Sequence, residues 1–332
     1  MTDGPHVLVT GCTGYIGRNV LCRLAQKHPG WLLIGQYRDP KKLEAIRPHV
    51  GKHTSFVRAD LAGEVNWDQI VAGSDVVIHC AGIADAPNPT VVYRVNVEAV
   101  EQLLAACLRA GVTKVVYLSS VAVYGYGDRG PDPLLKEGDP LADDTSLYDP
   151  YIRSKVDAES RVQALCREGS PVVYTLRLGL VQGCVVRGGF FPLHRPVTRW
   201  EVTVGGGRDL LPIVGVDDVC RLLASAVKAG PGTGSCYNVV GDVYPQRREW
   251  HACKAAVGVE LVRPIALPRS RLLFRVAGFL NERLCGNRFR TFRTGQYDFL
   301  TRRLRYDTTR AKHDFAWEPR QTLDDIARSY LP

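Results

Sequence analysis

The chain opens with a short apolar run, His6–Thr10, which breaks into glycines and then into helical spacing at Ile16, Val20, Leu21 and Leu24. That alternation recurs. Apolar runs at 31–37, 55–59, 75–80, 114–120, 172–178 and 236–240 have the length and β-branched content of buried strands. Longer stretches with apolar residues three and four apart predict helices over 91–108, from Tyr151 through Leu165, and over 216–227, 247–257 and 269–284. Strands alternating with helices predict an α/β fold: a doubly wound parallel sheet, Rossmann-like, with ligands beyond the strand C-termini. We expect residues 1–182 to form a dinucleotide-binding domain and 183–332 a smaller substrate-binding lobe interleaved with it. Residues 183–208 are glycine-rich and aperiodic, which predicts a loop over a substrate, and 210–214 predicts a short strand. In 269–284, Leu273, Val276, Leu280 and Leu284 share one face, opposite Arg271 and Arg275. We expect a surface helix packed on its own domain, with a helix lying on a membrane as the alternative.

The chemistry-bearing residues gather where strands end. Gly11-Cys12-Thr13-Gly14-Tyr15-Ile16-Gly17 joins the first strand to the first helix, the context a dinucleotide fingerprint requires. Gly11 permits the tight turn, Gly14 lets backbone approach a pyrophosphate, and Gly17 lets helix and strand pack closely. Tyr15 and Ile16 open the helix whose N-terminus favours an anion. After the second strand, Arg38 accommodates a ribose 2′-phosphate, with Arg18 or Lys41 as helpers, and so favours NADP over NAD; Asp39 is the competing ribose ligand. Asp60 and Leu61 follow the third strand, where a carboxylate can meet the adenine amino group. Ala81 and Gly82 after the fourth are small enough for a cofactor to lie against, and His79 reads as a packed histidine.

Tyr151 and Lys155 stand four apart on a predicted helix, hence on one face. A phenol titrates near ~10, and a nearby ammonium favours its ionised form. Such a pair can move a proton to or from a carbonyl or alcohol oxygen.

Composition narrows the setting. The 332 residues are 45% hydrophobic and 23% charged, ordinary for a soluble globular protein. Ten cysteines are scattered with no Cys-x-x-Cys pair, so no zinc or redox motif is expected. With no basic-then-apolar leader and no run of ~18 uncharged apolar residues, the sequence predicts a cytoplasmic protein with reduced thiols. Residues 240–332 hold 18 Lys+Arg against 10 Asp+Glu, and so carry +8 of the net +9. That charge suits an anionic substrate, an acidic carrier protein or the surface of an anionic membrane; no nucleic-acid-binding module accompanies it.

With these motifs in place, the chain resembles the extended short-chain dehydrogenase/reductases, including the NAD-dependent epimerase/dehydratases. Thr10–Gly17 fits T-G-x-x-G-x-x-G, and Tyr151 with Lys155 fits Y-x-x-x-K. Leu118-Ser119-Ser120-Val121-Ala122-Val123-Tyr124-Gly125 fits the active-site serine segment, which points to Ser120, and Asn96-Val97 fits the helix asparagine. The resemblance implies that Ser120 bonds the substrate oxygen and Tyr151 exchanges its proton. It further implies that Lys155 lowers the tyrosine pKa and binds the nicotinamide ribose, and that Asn96 holds a relay water. Leu176–Val181 resembles the segment touching the nicotinamide amide, which adds Leu178 and Val181, although a proline or tyrosine is common at 178. Arg38-Asp39-Pro40 looks like the run of the dihydroflavonol reductases, whose arginine holds the 2′-phosphate. A homodimer through the helices near 90–110 and 150–167 is usual for the family.

At 208–218 the chain departs from the nucleotide-sugar pattern: Gly215 replaces an aromatic or histidine, and Leu-Leu-Pro is inserted. That looks more like the hydroxysteroid and ketone-reductase branch. The leading expectation is therefore an NADP-dependent oxidoreductase interconverting a secondary alcohol and a ketone on a partly apolar substrate. A nucleotide-sugar epimerase or dehydratase with a tightly held nicotinamide is the alternative, and a non-catalytic dinucleotide sensor the third.

Overall fold

A computed structural model describes residues 4–84, 86, 88–125, 133–143, 145, 148–165, 171–185, 200–204, 207–230, 235–258, 263–268, 270–285, 297, 301 and 303–331. The predicted sheet strands form with ends shifted by no more than one residue. They are β1 (His6–Thr10), β2 (Leu32–Tyr37), β3 (Thr54–Arg58), β4 (Val76–His79), β5 (Lys114–Ser120), β6 (Val172–Leu178) and β7 (Ser235–Val239). All seven are parallel, in the spatial order β7-β6-β5-β4-β1-β2-β3. The order reverses between β1 and β4, so a crevice opens at their C-terminal ends.

The strand period of two explains the two cores. Val7 and Val9 of β1 face one side, with Val20, Leu21 and Leu24 of α1 (Tyr15–Lys27). Leu8 faces the other, with Val100 and Leu103 from the chain after β4 and Ala158 and Val162 of α3 (Pro150–Leu165). Helix α2 runs through Pro89–Tyr93 and Ala99–Ala110 with a π-helical turn, Arg94–Glu98, between them. Helix α4 (Val216–Lys228) completes the first layer with Val219, Leu222 and Leu223.

Two expectations for the C-terminal half are corrected. The aperiodic stretch contains a strand, Trp200–Val204, which pairs in parallel with Arg263–Leu267. Its partner lies far along the chain, so local sequence gave no sign of the pairing; residues 186–199 and 205–206 lie outside the described residues. The short strand is Ile213–Gly215, paired with Leu180–Gln182. In α5 (Arg271–Cys285) the face that packs inward carries Phe274 and Asn281, whereas Leu273, Val276, Leu280 and Leu284 are exposed.

Gly215 has a structural reason. A Cβ there would lie 2.2 Å from Oε1 of Gln321, an oxygen that accepts from the backbone N–H of Asp217 at 2.9 Å. The Gln321 side chain fills the space a larger residue would need, which gives Gly215 a packing neighbour from the C-terminal segment. No helix among the described residues is long and apolar enough to cross a membrane.

Candidate active site

The glycine turn is held from both sides. Gly11 has φ +61°, and a Cβ on it would lie 2.7 Å from the Ala81 Cα. Its N–H donates to Oε1 of buried Gln36 (2.8 Å), whose Nε2 donates to the Ala59 carbonyl (2.7 Å). A Cβ on Gly17 would stand 2.3 Å from the Gly11 carbonyl oxygen, so strand and helix meet at a separation only glycine allows. Gly14 is the N-cap of α1, with no side-chain cap and no acidic residue in the first turn. An α1 start with no side-chain cap and no acidic residue suits a dinucleotide pyrophosphate.

Ile16 packs half-buried against the core. The Tyr15 hydroxyl donates to the Gly183 carbonyl at 2.6 Å, and the Gly183 N–H donates to the Tyr330 hydroxyl at 2.7 Å. Tyr15 therefore ties the glycine turn to the chain leaving β6. Leu178 and Val181 are buried in the apolar core, so a dinucleotide can meet them only through backbone.

At the end of β2, Arg38 and Asp39 are engaged differently. Asp39 caps the short helix Pro40–Glu44, accepting from the Lys41 N–H at 2.9 Å. Arg38 is exposed, its Nη1 4.0 Å from Oδ1 of Asp60. Leu61 beside it is buried. A surface cavity of about 730 Å³ adjoins this region, lined by Leu61, Trp67, Arg94, Gln102 and Arg109 among others; it shares only Leu61 with the candidate residues.

The end of β4 meets α3. Gly82 leaves room for both helices: a Cβ there would lie 3.4 Å from Oδ1 of Asn96 and 3.9 Å from Nζ of Lys155. Ala81 N–H donates to Oγ1 of Thr10 (3.2 Å), which sits 2.9 Å from Nδ1 of His79. Burial, reinforced by the Lys155 charge, pushes the His79 pKa down to about 3, so it is a neutral packed ring as the sequence suggests.

Lys155 is buried; its ammonium donates to the Leu118 carbonyl at 2.8 Å and lies 5.1 Å over the Tyr117 ring. Burial brings its pKa down to about 8, against the opposing pull of Glu159. Tyr151, one turn earlier on α3, is half-buried and packs in a cluster with Val121, Ala122, Val123 and Tyr124. That is the turn Ser120 caps: its Oγ accepts from the Ala122 N–H at 3.2 Å, which leaves its hydroxyl hydrogen to donate elsewhere. The strand period separates the two serines. Buried Ser119 donates to Oε2 of Glu159 (2.6 Å), while Ser120 remains partly accessible.

Asn96 sits on the π-helical turn of α2, a distortion often found at functional sites. Its Nδ2 donates to the Ile83 carbonyl and to Oγ of Ser154, both at 2.9 Å, and Oδ1 accepts from the Ile83 N–H at 2.8 Å. Asn96 thus clamps the loop after β4 to α3. For a water it has only the second lone pair of Oδ1.

Sequence reasoning missed the supports: Gln36, Thr10, Ser154, and a buried network around Glu159. Arg177 donates through Nε to Oε1 of Glu159 (2.8 Å) and through Nη1 to the Tyr124 hydroxyl (2.7 Å), which donates to Oδ1 of Asn238 (2.7 Å). The readable signal was a polar residue inside an apolar run, as with Gln36 in Leu-Leu-Ile-Gly-Gln-Tyr.

The profile of the NAD dependent epimerase/dehydratase family matches residues 7–239. A UDP-glucose 4-epimerase of Vibrio cholerae is 24% identical over 330 residues, covering 96% of this chain and 92% of that protein. Human 3 beta-hydroxysteroid dehydrogenase type 7 is 30% identical over 157 residues, 46% of this chain and 42% of that one. A solved UDP-glucose-4-epimerase from Stenotrophomonas maltophila, with bound NAD and formylated UDP-arabinopyranose, superposes with a TM-score of 0.76 at 20% identity, covering 98% of this chain and 96% of its own.

Proposed function

The chain belongs to the NAD dependent epimerase/dehydratase family, and from that premise we propose that it is a nucleotide-sugar epimerase or dehydratase. It oxidises a secondary alcohol of the sugar transiently while holding its nicotinamide. The observation that supports this over a ketone reductase is reach. The likeness to the V. cholerae nucleotide-sugar enzyme runs along 96% of the chain, including the part after residue 182 that we assign to substrate, whereas the steroid-dehydrogenase likeness covers 46%. Gln321 offers a packing reason for Gly215, which weakens one of the two sequence departures that favoured the steroid branch; the Leu-Leu-Pro insertion stands.

A bound nicotinamide would supply the hydride acceptor and donor. The glycine turn and the uncapped start of α1 would hold the pyrophosphate of the dinucleotide, and Ala81 and Gly82 would leave room for it beside β4. Ser120 donates its hydroxyl hydrogen to the substrate oxygen. Tyr151 takes the alcohol proton and returns it, with the Lys155 charge favouring its phenolate. Asn96 keeps the loop after β4 and the helix of Tyr151 in register.

The test is a nucleotide-sugar panel followed by absorbance at 340 nm and product analysis. Sugar conversion without net change in reduced nicotinamide is expected. Stoichiometric accumulation of reduced cofactor, with ketones or sterols as the better substrates, would return the assignment to the alcohol–ketone oxidoreductase. The sensor reading requires no turnover on any panel.

For the cofactor we keep NADP beside NAD, because Arg38 is exposed at the ribose end and Asp39 is engaged as a cap. Arg38→Ala is expected to weaken NADP(H) about tenfold, the size of one charge-assisted hydrogen bond, with little effect on NAD(H). Titration of both cofactors checks this; equal losses would remove Arg38 from phosphate recognition.

A further inference from the structure

Helix α5 carries apolar side chains on the side that faces solvent. Among the described residues, six of the ten exposed large hydrophobics belong to it: Leu272, Leu273, Val276, Phe279, Leu280 and Leu284, at 46–77% exposure. Their spacing places them on one broad face, while Phe274 and Asn281, seven apart, anchor the opposite face to the protein. A contiguous apolar patch of this kind marks an interaction surface rather than ordinary surface chemistry.

The charge of the surrounding sequence favours one occupant. Residues 263–305 contain eleven arginines, no lysine and two acidic residues, a balance of +9. That is the entire net charge of the chain, so everything outside this stretch is balanced. On α5 itself, Arg271 lies on the far side with its guanidinium 5.8 Å over the Tyr297 ring, Arg275 is exposed at the flank of the apolar face, and the Arg283 guanidinium lies 5.6 Å over the Phe279 ring, within that face. A long side chain there can lay its stem on apolar surface and extend its charge to a polar headgroup. The helix has 15 residues, about 22 Å long and shorter than the ~30 Å hydrocarbon core of a bilayer. Apolar face, basic flank and insufficient length describe a helix that lies in a membrane interface.

We propose that α5 docks the protein on an anionic phospholipid bilayer, with Leu273, Val276, Leu280 and Leu284 entering the acyl boundary and with Arg275 at the flank of this apolar face and Arg283 within it meeting lipid phosphates. A peripheral attachment of this kind responds to lipid charge and to salt.

The experiment is co-sedimentation of the full chain with vesicles of phosphatidylcholine alone or mixed with phosphatidylglycerol, at low salt and at about 0.5 M salt, where screening is short-ranged. Binding to the mixed vesicles, absent on pure phosphatidylcholine and released by salt, is the expected result. Arg275→Glu with Arg283→Glu is expected to reduce it by at least about 30-fold, since each arginine near an anionic surface is worth roughly fivefold. Leu273→Ser with Leu280→Ser is expected to lose at least about tenfold through apolar area alone. Dinucleotide titration and circular dichroism confirm that both variants are folded. Three outcomes overturn the proposal: no vesicle binding at low salt, equal binding to neutral and anionic vesicles, or a self-associated chain that the leucine pair dissociates while vesicles leave it untouched.

Discussion

Tyr151→Phe is expected to lower kcat by about a hundredfold to ten-thousandfold, the range supplied by a positioned acid–base group. Cofactor binding should change little, because the glycine turn is held by Gln36, Ala81 and the start of α1. The measurement is kcat together with dinucleotide affinity. A variant that keeps most of its turnover would show that another group moves the proton. Lys155→Met extends the same test. Without the ammonium, the rising limb of the pH–rate profile for alcohol oxidation should move to higher pH, because nothing then favours the phenolate. Stability should move the opposite way. The buried Lys155 has a pKa of about 8 in the folded chain, against ~10.4 when unfolded. Its charge therefore opposes folding at pH 7, and the penalty is relieved as pH rises from about 8 to ~10.4. Lys155→Met is thus expected to gain on the order of 2–3 kcal/mol at pH 7 in the cofactor-free protein and to lose that advantage near pH 10.5. Thermal melts at the two pH values read it. Equal melting temperatures of variant and wild type at pH 7 would mean the lysine is not held as buried as its contacts indicate.

Glu159→Ala is expected to destabilise the protein by about 3–5 kcal/mol, the usual result of leaving one member of a buried ion pair alone. Glu159 and Arg177 are both almost completely buried, and Ser119 adds a hydrogen bond to the carboxylate. Arg177 also donates to the Glu137 carbonyl and the Tyr124 hydroxyl, so the loss reaches β7 through Asn238. Because the penalty comes from an uncompensated guanidinium, Glu159→Leu combined with Arg177→Leu should recover most of it. Denaturant melts of both variants decide this. Additive losses would assign the stability to packing instead of charge. Glu159 also stands one turn beyond Lys155 on α3, so the double variant should lower the lysine pKa further and bring an alkaline loss of activity closer to neutrality.

Local sequence determined a great deal here, for a definite reason. The seven strands, the glycine turn and the Tyr151–Lys155 spacing are written in periodicities of two and 3.6 residues and in glycines that nothing else can replace. Those signals lie within a few residues of one another, so they survive without knowledge of the fold. Ser120 was separable from Ser119 by motif alone, and the structure supplies the physics: successive strand residues face opposite sides, and Glu159 takes the inner one.

Only the tertiary structure decided the rest, because it depends on residues remote in the chain. Gly215 looked like a substrate determinant by sequence; the fold adds a packing neighbour, Gln321, a hundred or so positions later. Arg38 was favoured over Asp39 on charge alone, and only the structure shows Asp39 capping a short helix. Asn96 was expected to hold water, yet contacts with Ile83 and Ser154 occupy both its amide hydrogens. The amphipathic pattern of α5 was legible from its spacing, but periodicity cannot tell which face a protein keeps. Phe274 and Asn281 took the interior, and the leucines were left outside.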